Sequence, residues 1–180
     1  MVLSRTLIRT YAVQYYARPD PVLSATNQRI LADIDTNQSV SVFYGILDVA
    51  TGTLTYCNAG HPAPYLCRQQ KASNPHGRPI IAALGRTGMP LGIVQDATWE
   101  RRAVRIAPGD TLILYTDGLT DAQDRRQRSF GEEQLLATVG DQLGRSAQGI
   151  QDALMAHMRE FLGDAPQLDD ITLVTLVREM

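Results

Sequence analysis

The sequence predicts a mixed α/β domain of the α+β kind, built on mostly antiparallel sheets. Three observations point there. Apolar residues recur at helical spacing over residues 2–34, strand-like runs joined by short turns then take over, and two amphipathic patterns precede one last strand. Hairpin connections dominate that order, whereas a parallel sheet needs strands alternating with crossover helices. With 180 residues, 44% hydrophobic and 20% charged, the chain has the make-up of one globular domain with a real core.

Leu3, Leu7, Ile8, Tyr11 and Tyr15 predict a helix over residues 2–16, which the cluster Pro19-Asp20-Pro21 is expected to stop. A second helix follows from Pro21 to about Ile34, with Val22, Leu23, Ile30, Leu31 and Ile34 as its apolar face. Val40 to Val49 is β-rich, Ala50-Thr51-Gly52-Thr53 is a hairpin turn, and Leu54 to Asn58 is the returning strand. Pro62 to Arg68 carries a third short strand. From Gln69 to Gly88 the composition predicts a long mobile loop, with one strand over Ile80 to Leu84. Trp99 to Ile106 and Thr111 to Thr116 read as strands, and the tight turn Pro108-Gly109-Asp110 between them predicts a hairpin. Helices over Glu132 to Leu143 and Ala147 to Leu162, the second ended by Gly163, lead to a strand over Ile171 to Val177.

A formal charge of -2 leaves no electrostatic footprint for nucleic acid. The longest apolar runs, such as Leu112 to Tyr115, fall far short of the ~20 residues of a membrane-spanning helix. The N-terminus lacks the sustained apolar core of a signal peptide, so a cytoplasmic location is expected. Cys57 and Cys67 match no zinc-site spacing and read as ordinary core or surface residues, with a disulfide between neighbouring strands as the alternative.

Two segments carry bare aspartates at strand ends. In Ile113-Leu114-Tyr115-Thr116-Asp117-Gly118-Leu119-Thr120-Asp121, an apolar strand delivers Asp117, and Gly118 lets the backbone turn away. In Gln167-Leu168-Asp169-Asp170-Ile171-Thr172, two aspartates stand at the mouth of the final strand. Carboxylates converging in a partly buried place are costly unless a cation neutralises them, and oxygen donors without His or Cys favour Mg²⁺ or Mn²⁺ over zinc. The plainer readings stay open at this point: Asp-Gly is a common turn, and Asp169-Asp170 can simply cap a strand.

These segments, with Phe43-Tyr44-Gly45-Ile46-Leu47-Asp48, Tyr56-Cys57-Asn58-Ala59-Gly60-His61-Pro62-Ala63-Pro64 and Gly88-Met89-Pro90-Leu91-Gly92, resemble the SpoIIE/RsbU-like branch of the PP2C-type (PPM) phosphatases. The motifs come in the family's order and cover the chain from first helix to last strand. The resemblance implies an α/β/β/α sandwich with two Mg²⁺ or Mn²⁺ ions, where activated water hydrolyses phosphoserine or phosphothreonine. It assigns Asp117 and Asp169 as catalytic metal ligands, with Asp170 beside them as a further candidate and Asp121 as holder of a looser metal. Gly118, Asn58, Gly60 and His61 shape the site. For His61 a direct catalytic role competes with hydrogen bonds that fix its loop, and its place between a turn glycine and a proline favours the loop.

The family also carries a Gly-Asp-Val-x-Gly-His-Gly motif before the first helix, whose aspartate bridges the metals; these 180 residues contain none. Residues 1–180 thus read as one partial phosphatase domain lacking N-terminal strands, and slow hydrolysis of p-nitrophenyl phosphate with Mn²⁺ is expected. Asp33, Asp35 and Asp48 are no substitutes, being at a helix end or in a hairpin. The implied substrate is a phosphoprotein, an anti-sigma factor antagonist, with an upstream sensor or receiver domain and a homodimer both compatible. A catalytically impaired binding module is the alternative. Arg125, Arg126 and Arg128 read either as a solvated loop or as an attraction for an acidic or phosphorylated partner. His76 and His157 read as loop and helix-surface residues, and Trp99 as core.

Overall fold

The N-terminal periodicity produces two helices, α1 (Val2–Gln14) and α2 (Pro19–Asp33), in a computed structural model that describes residues 2–33, 39–69 and 79–179. Strands β1 (Val42–Asp48), β2 (Thr53–Ala59), β3 (Tyr65–Arg68), β4 (Ile80–Ala83), β5 (Arg102–Arg105) and β6 (Thr111–Tyr115) follow. A single turn α3 (Asp117–Thr120), helices α4 (Gly131–Gln142) and α5 (Ala147–Leu162), and β7 (Leu173–Val177) complete the order. Two units separate: Met1–Ala63 with Gly85–Arg105, and Pro64–Leu84 with Ile106–Met180. All pairings between these strands are antiparallel.

In the first unit, Pro19 opens α2 instead of stopping α1. A proline suits a first helical turn, where its missing N–H has no intrahelical partner to lose. The chain reverses just before it, at Ala17 with φ +59°. Val22, Leu23 and Ile30 of α2 are buried; Ile34, Asp35 and His76 lie outside the described residues, as do residues 70–78 of the expected mobile loop. The β1–β2 hairpin forms as its turn chemistry predicts, with Asp48 accepting hydrogen bonds from the Ala50 and Thr51 amides at 2.9 and 3.2 Å. Asn27, fully buried on α2, accepts from the Gly92 amide at 2.8 Å and donates to the Val94 carbonyl at 2.8 Å. Trp99 is core as expected, its indole N–H donating to the Met89 carbonyl at 2.8 Å.

In the second unit, a four-stranded sheet has the order β4-β3-β6-β7. Ile150, Leu154 and Met158 stand one turn apart on α5 and pack with Leu135 and Val139 of α4 against Tyr65, Ile113 and Tyr115. Full burial of such side chains contributes about 1.5–3 kcal/mol each. Local signals set the ends of α5: the Ser146 hydroxyl accepts from the Gly149 amide at 3.2 Å, and Gly163 takes φ +56°. Ser146→Ala is expected to cost about 1 kcal/mol of stability, read from the urea midpoint. His157 ties the two helices together: its Nδ1 lies 2.6 Å from the Thr138 hydroxyl, joining α5 to α4, and its ring meets Phe130 edge-on.

The hairpin expected of residues 99–106 and 111–116 does not form. Strand β5 pairs with β2, and β6 pairs with β3 and β7. The intervening turn is held elsewhere, because the buried Asp110 carboxylate accepts from the Ala107 amide at 2.8 Å and from both arms of the Arg68 guanidinium at 2.8 and 2.7 Å. Gly109 and Asp110 also exchange backbone bonds with Arg178. Cys57 and Cys67 are free, buried thiols, so the disulfide alternative is not realised. Burial pushes both up to about 11, which leaves them as unreactive thiols near neutral pH. No helix among the described residues is long and apolar enough to cross a membrane.

Candidate metal centre

Strand β6, between β3 and β7, is buried almost throughout, and the exposed carboxylate of Asp117 follows just beyond its end. Antiparallel pairing then decides the neighbour: with Tyr115 opposite Leu173, the end of β6 lies beside the start of β7. Thr116 staples the two. Its amide donates to the Thr172 carbonyl at 3.0 Å, its hydroxyl accepts from the Thr172 amide at 2.9 Å, and that hydroxyl donates to the Asp170 carbonyl at 3.3 Å.

Gly118 closes the gap. A β-carbon there would collide with the Asp170 carbonyl oxygen and lie 3.1 Å from its carbonyl carbon and 3.5 Å from Asp169 Cβ. The glycine is therefore required for close approach and not for a left-handed turn, since it sits inside the helical turn α3. Gly118→Ala is expected to cost about 1–2 kcal/mol, because the methyl meets main chain that cannot swing aside. A denaturant titration checks it.

This packing sets Gly118, the residue after Asp117, against Asp169 and Asp170. Asp121 stands one turn beyond Asp117, its amide donating to the Asp117 carbonyl at 2.7 Å. One Asp117 oxygen accepts from the Gly118 amide at 3.1 Å and one Asp169 oxygen from the Asp170 amide at 2.7 Å. The second oxygen of each has no hydrogen-bond partner among the described residues. All four aspartates are exposed, not partly buried, so solvent screens their mutual repulsion.

The donor set has the chemistry of a Mg²⁺ or Mn²⁺ site, all oxygen, of the sort that supplies one or two carboxylates and leaves other positions to water. It is not a closed cage: among the described residues no three acidic, His or Cys side chains converge closely enough to hold an ion.

Asn58, Gly60 and His61 form a cluster within the first unit. The buried Asn58 side chain accepts from the His61 amide at 2.9 Å, and His61 Nδ1 lies 2.8 Å from the Pro62 carbonyl, which makes Nδ1 the protonated nitrogen. Gly60 has φ +82°, with Pro90 packed where its side chain would be. These bonds are what a loop-fixing role for His61 requires.

Sequence reasoning missed Thr116 and Asn27. A hydroxyl residue just before the strand-end Asp-Gly was the available signal for Thr116. A polar residue on a helix gives no sign that it will be buried.

The family model described as Stage II sporulation protein E (SpoIIE) matches residues 1–179. Protein IcfG of Synechocystis sp. is 28% identical over 144 residues, covering 80% of this chain and 21% of the relative. Phosphoserine phosphatase RsbU of Bacillus subtilis is 26% identical over 167 residues, covering 90% of this chain and 46% of the relative. The chain thus spans less than half the length of these curated relatives. Among solved structures, the SiaA-PP2C domain of Pseudomonas aeruginosa superposes with a TM-score of 0.82 at 21% identity, over 99% of this chain and 68% of that one. That likeness shows the fold, a PP2C phosphatase fold, in agreement with the mixed, antiparallel architecture expected. With the family model matched along nearly the whole sequence, this chain belongs to the SpoIIE family.

Proposed function

We propose that this chain is a metal-dependent protein serine/threonine phosphatase acting on a regulatory phosphoprotein. One observation supports the reading: Gly118, the residue after Asp117, packs against Asp169-Asp170 where β6 ends and β7 begins, in a chain of the SpoIIE family. Residues 1–180 act in this reading as one phosphatase domain. Asp117 and Asp169 would hold Mg²⁺ or Mn²⁺, with Asp170 as the alternative to its neighbour Asp169 and Asp121 reserved for an additional, looser metal. Such an ion, when bound, lowers the pKa of its water and offsets phosphoryl charge. The chain itself contributes placement: Thr116 and Gly118 fix the strand ends, and Asn58, Gly60 and His61 hold a loop in one shape. The resemblance supports an anti-sigma factor antagonist as substrate, in the cytoplasm, under an upstream sensor or receiver domain.

A second reading, a phosphatase fold that binds phosphoproteins without hydrolysing them, is favoured by the lack of a three-ligand cluster among the described residues. Calorimetric titration with Mn²⁺, paired with phosphate release from a phosphoserine protein, separates the two. The enzyme reading expects Mn²⁺ binding and Mn²⁺-dependent release. Absence of both supports the binding module.

A further inference from the structure

Residues 122–130 form a loop that the aspartate site does not use. The Phe130 amide donates to the Ala122 carbonyl at 2.8 Å and closes the base, and Gln123 bridges Ser129 above it. Asp124 braces the tip. Its carboxylate accepts from the Arg126 and Arg128 amides at 2.8 and 3.0 Å and from Arg128 Nε at 2.8 Å. The Gln127 amide donates to the Asp124 carbonyl at 2.9 Å, with Gln127 at φ +61°. The amide and guanidinium of Arg128 hold the Asp124 carboxyl below its usual range, so the brace stays charged at neutral pH and is lost as pH falls through that lowered value.

The three arginines of this loop are not equivalent. Arg128 is neutralised by Asp124, and Arg125 pairs with Asp164 at 3.2 Å. The Arg126 side chain is exposed and has no ion pair or hydrogen bond among the described residues, while its own amide is tied to Asp124. Because the loop backbone is already fixed, binding through this guanidinium orders only its side chain and not the loop. Its planar fork matches a carboxylate. With a net charge of -2 on the chain and Asp117 and Asp121 just before it, the loop suits a single carboxylate and not a polyanion.

We propose that Arg126 is a specificity residue, engaging an acidic side chain that flanks the phosphorylated serine or threonine of the protein substrate. The inference rests on the phosphatase reading for the substrate's class. Arg126 is nine residues from Asp117, a chain reach of at most about 30 Å, so the flanking carboxylate falls within about nine residues of the phosphorylated one.

The test uses two phosphoserine peptides that differ only in Glu or Gln at the flanking positions, with the whole chain and Mn²⁺. Binding is followed by fluorescence anisotropy and turnover by phosphate release. The wild type is expected to favour the Glu peptide about three- to fivefold, as an exposed charge pair allows, with the preference shrinking at high salt. In Arg126→Gln, checked to unfold at the wild-type midpoint, the ratio is expected to fall to one. Equal treatment of the two peptides by the wild type, a preference that survives in Arg126→Gln, or no binding of either peptide overturns the proposal. Phosphate release without a flank preference leaves the phosphatase reading standing alone. An Arg126-dependent binding preference without release from any substrate, p-nitrophenyl phosphate included, sustains the docking role and counts against the phosphatase.

Discussion

Asp117→Asn is expected to weaken Mn²⁺ binding, and with it Mn²⁺-dependent phosphate release, by about tenfold to a hundredfold. The substitution isolates charge from structure. An asparagine has the size of the aspartate and keeps a side-chain oxygen to accept the Gly118 amide, now at 3.1 Å. The fold should therefore be stable to within about 0.5 kcal/mol of wild type. What the proposed site would lose is the negative charge that offsets a divalent cation beside Asp169. Calorimetry on the wild type and the variant, with an unfolding curve for each, checks both halves; unchanged Mn²⁺ affinity would remove Asp117 from the site.

Asp110→Ala is expected to lose about 3 kcal/mol of folding stability, measured by urea titration. Its carboxylate is 1% exposed and serves three donors: two on Arg68 and the Ala107 amide. Removing it leaves an arginine and a backbone N–H unpartnered, which for a fully buried pair costs about 3–5 kcal/mol. The Arg68 side chain is 46% exposed and can rehydrate, so the low end applies. Asp110→Asn keeps one acceptor and should lose less. A smaller loss in the alanine variant than in the asparagine variant would contradict this role for the bond network.

Elements whose signals are local were legible in the sequence. Ser146, the stripe Ile150, Leu154, Met158 and the terminal Gly163 announce α5 without reference to the rest of the chain, and Asp48 through Thr53 does the same for the β1–β2 turn. Pro19 was misread because a proline that cannot continue one helix is also well suited to begin the next. The false hairpin at Pro108-Gly109-Asp110 has a different origin. Its geometry is governed by Arg68, 42 residues away, and by Arg178, neither visible from the turn itself. The candidate site shows the same division. Strand ends bearing Asp117 and Asp169 could be read as convergent, whereas the reason for Gly118, and the existence of the Thr116 staple, depend on a main-chain contact with Asp170 that only folding creates.

The proposed sharing of one cation by two distant segments is tested by paramagnetic broadening of backbone amide signals on adding Mn²⁺ in small amounts. Gly118, Asp169 and Asp170 should broaden together, and Asp117→Asn should diminish the effect at all three. Broadening that survives Asp117→Asn unchanged, or broadening at residues elsewhere while these three stay sharp, would mean that Asp117 and Asp169 do not form a common metal centre.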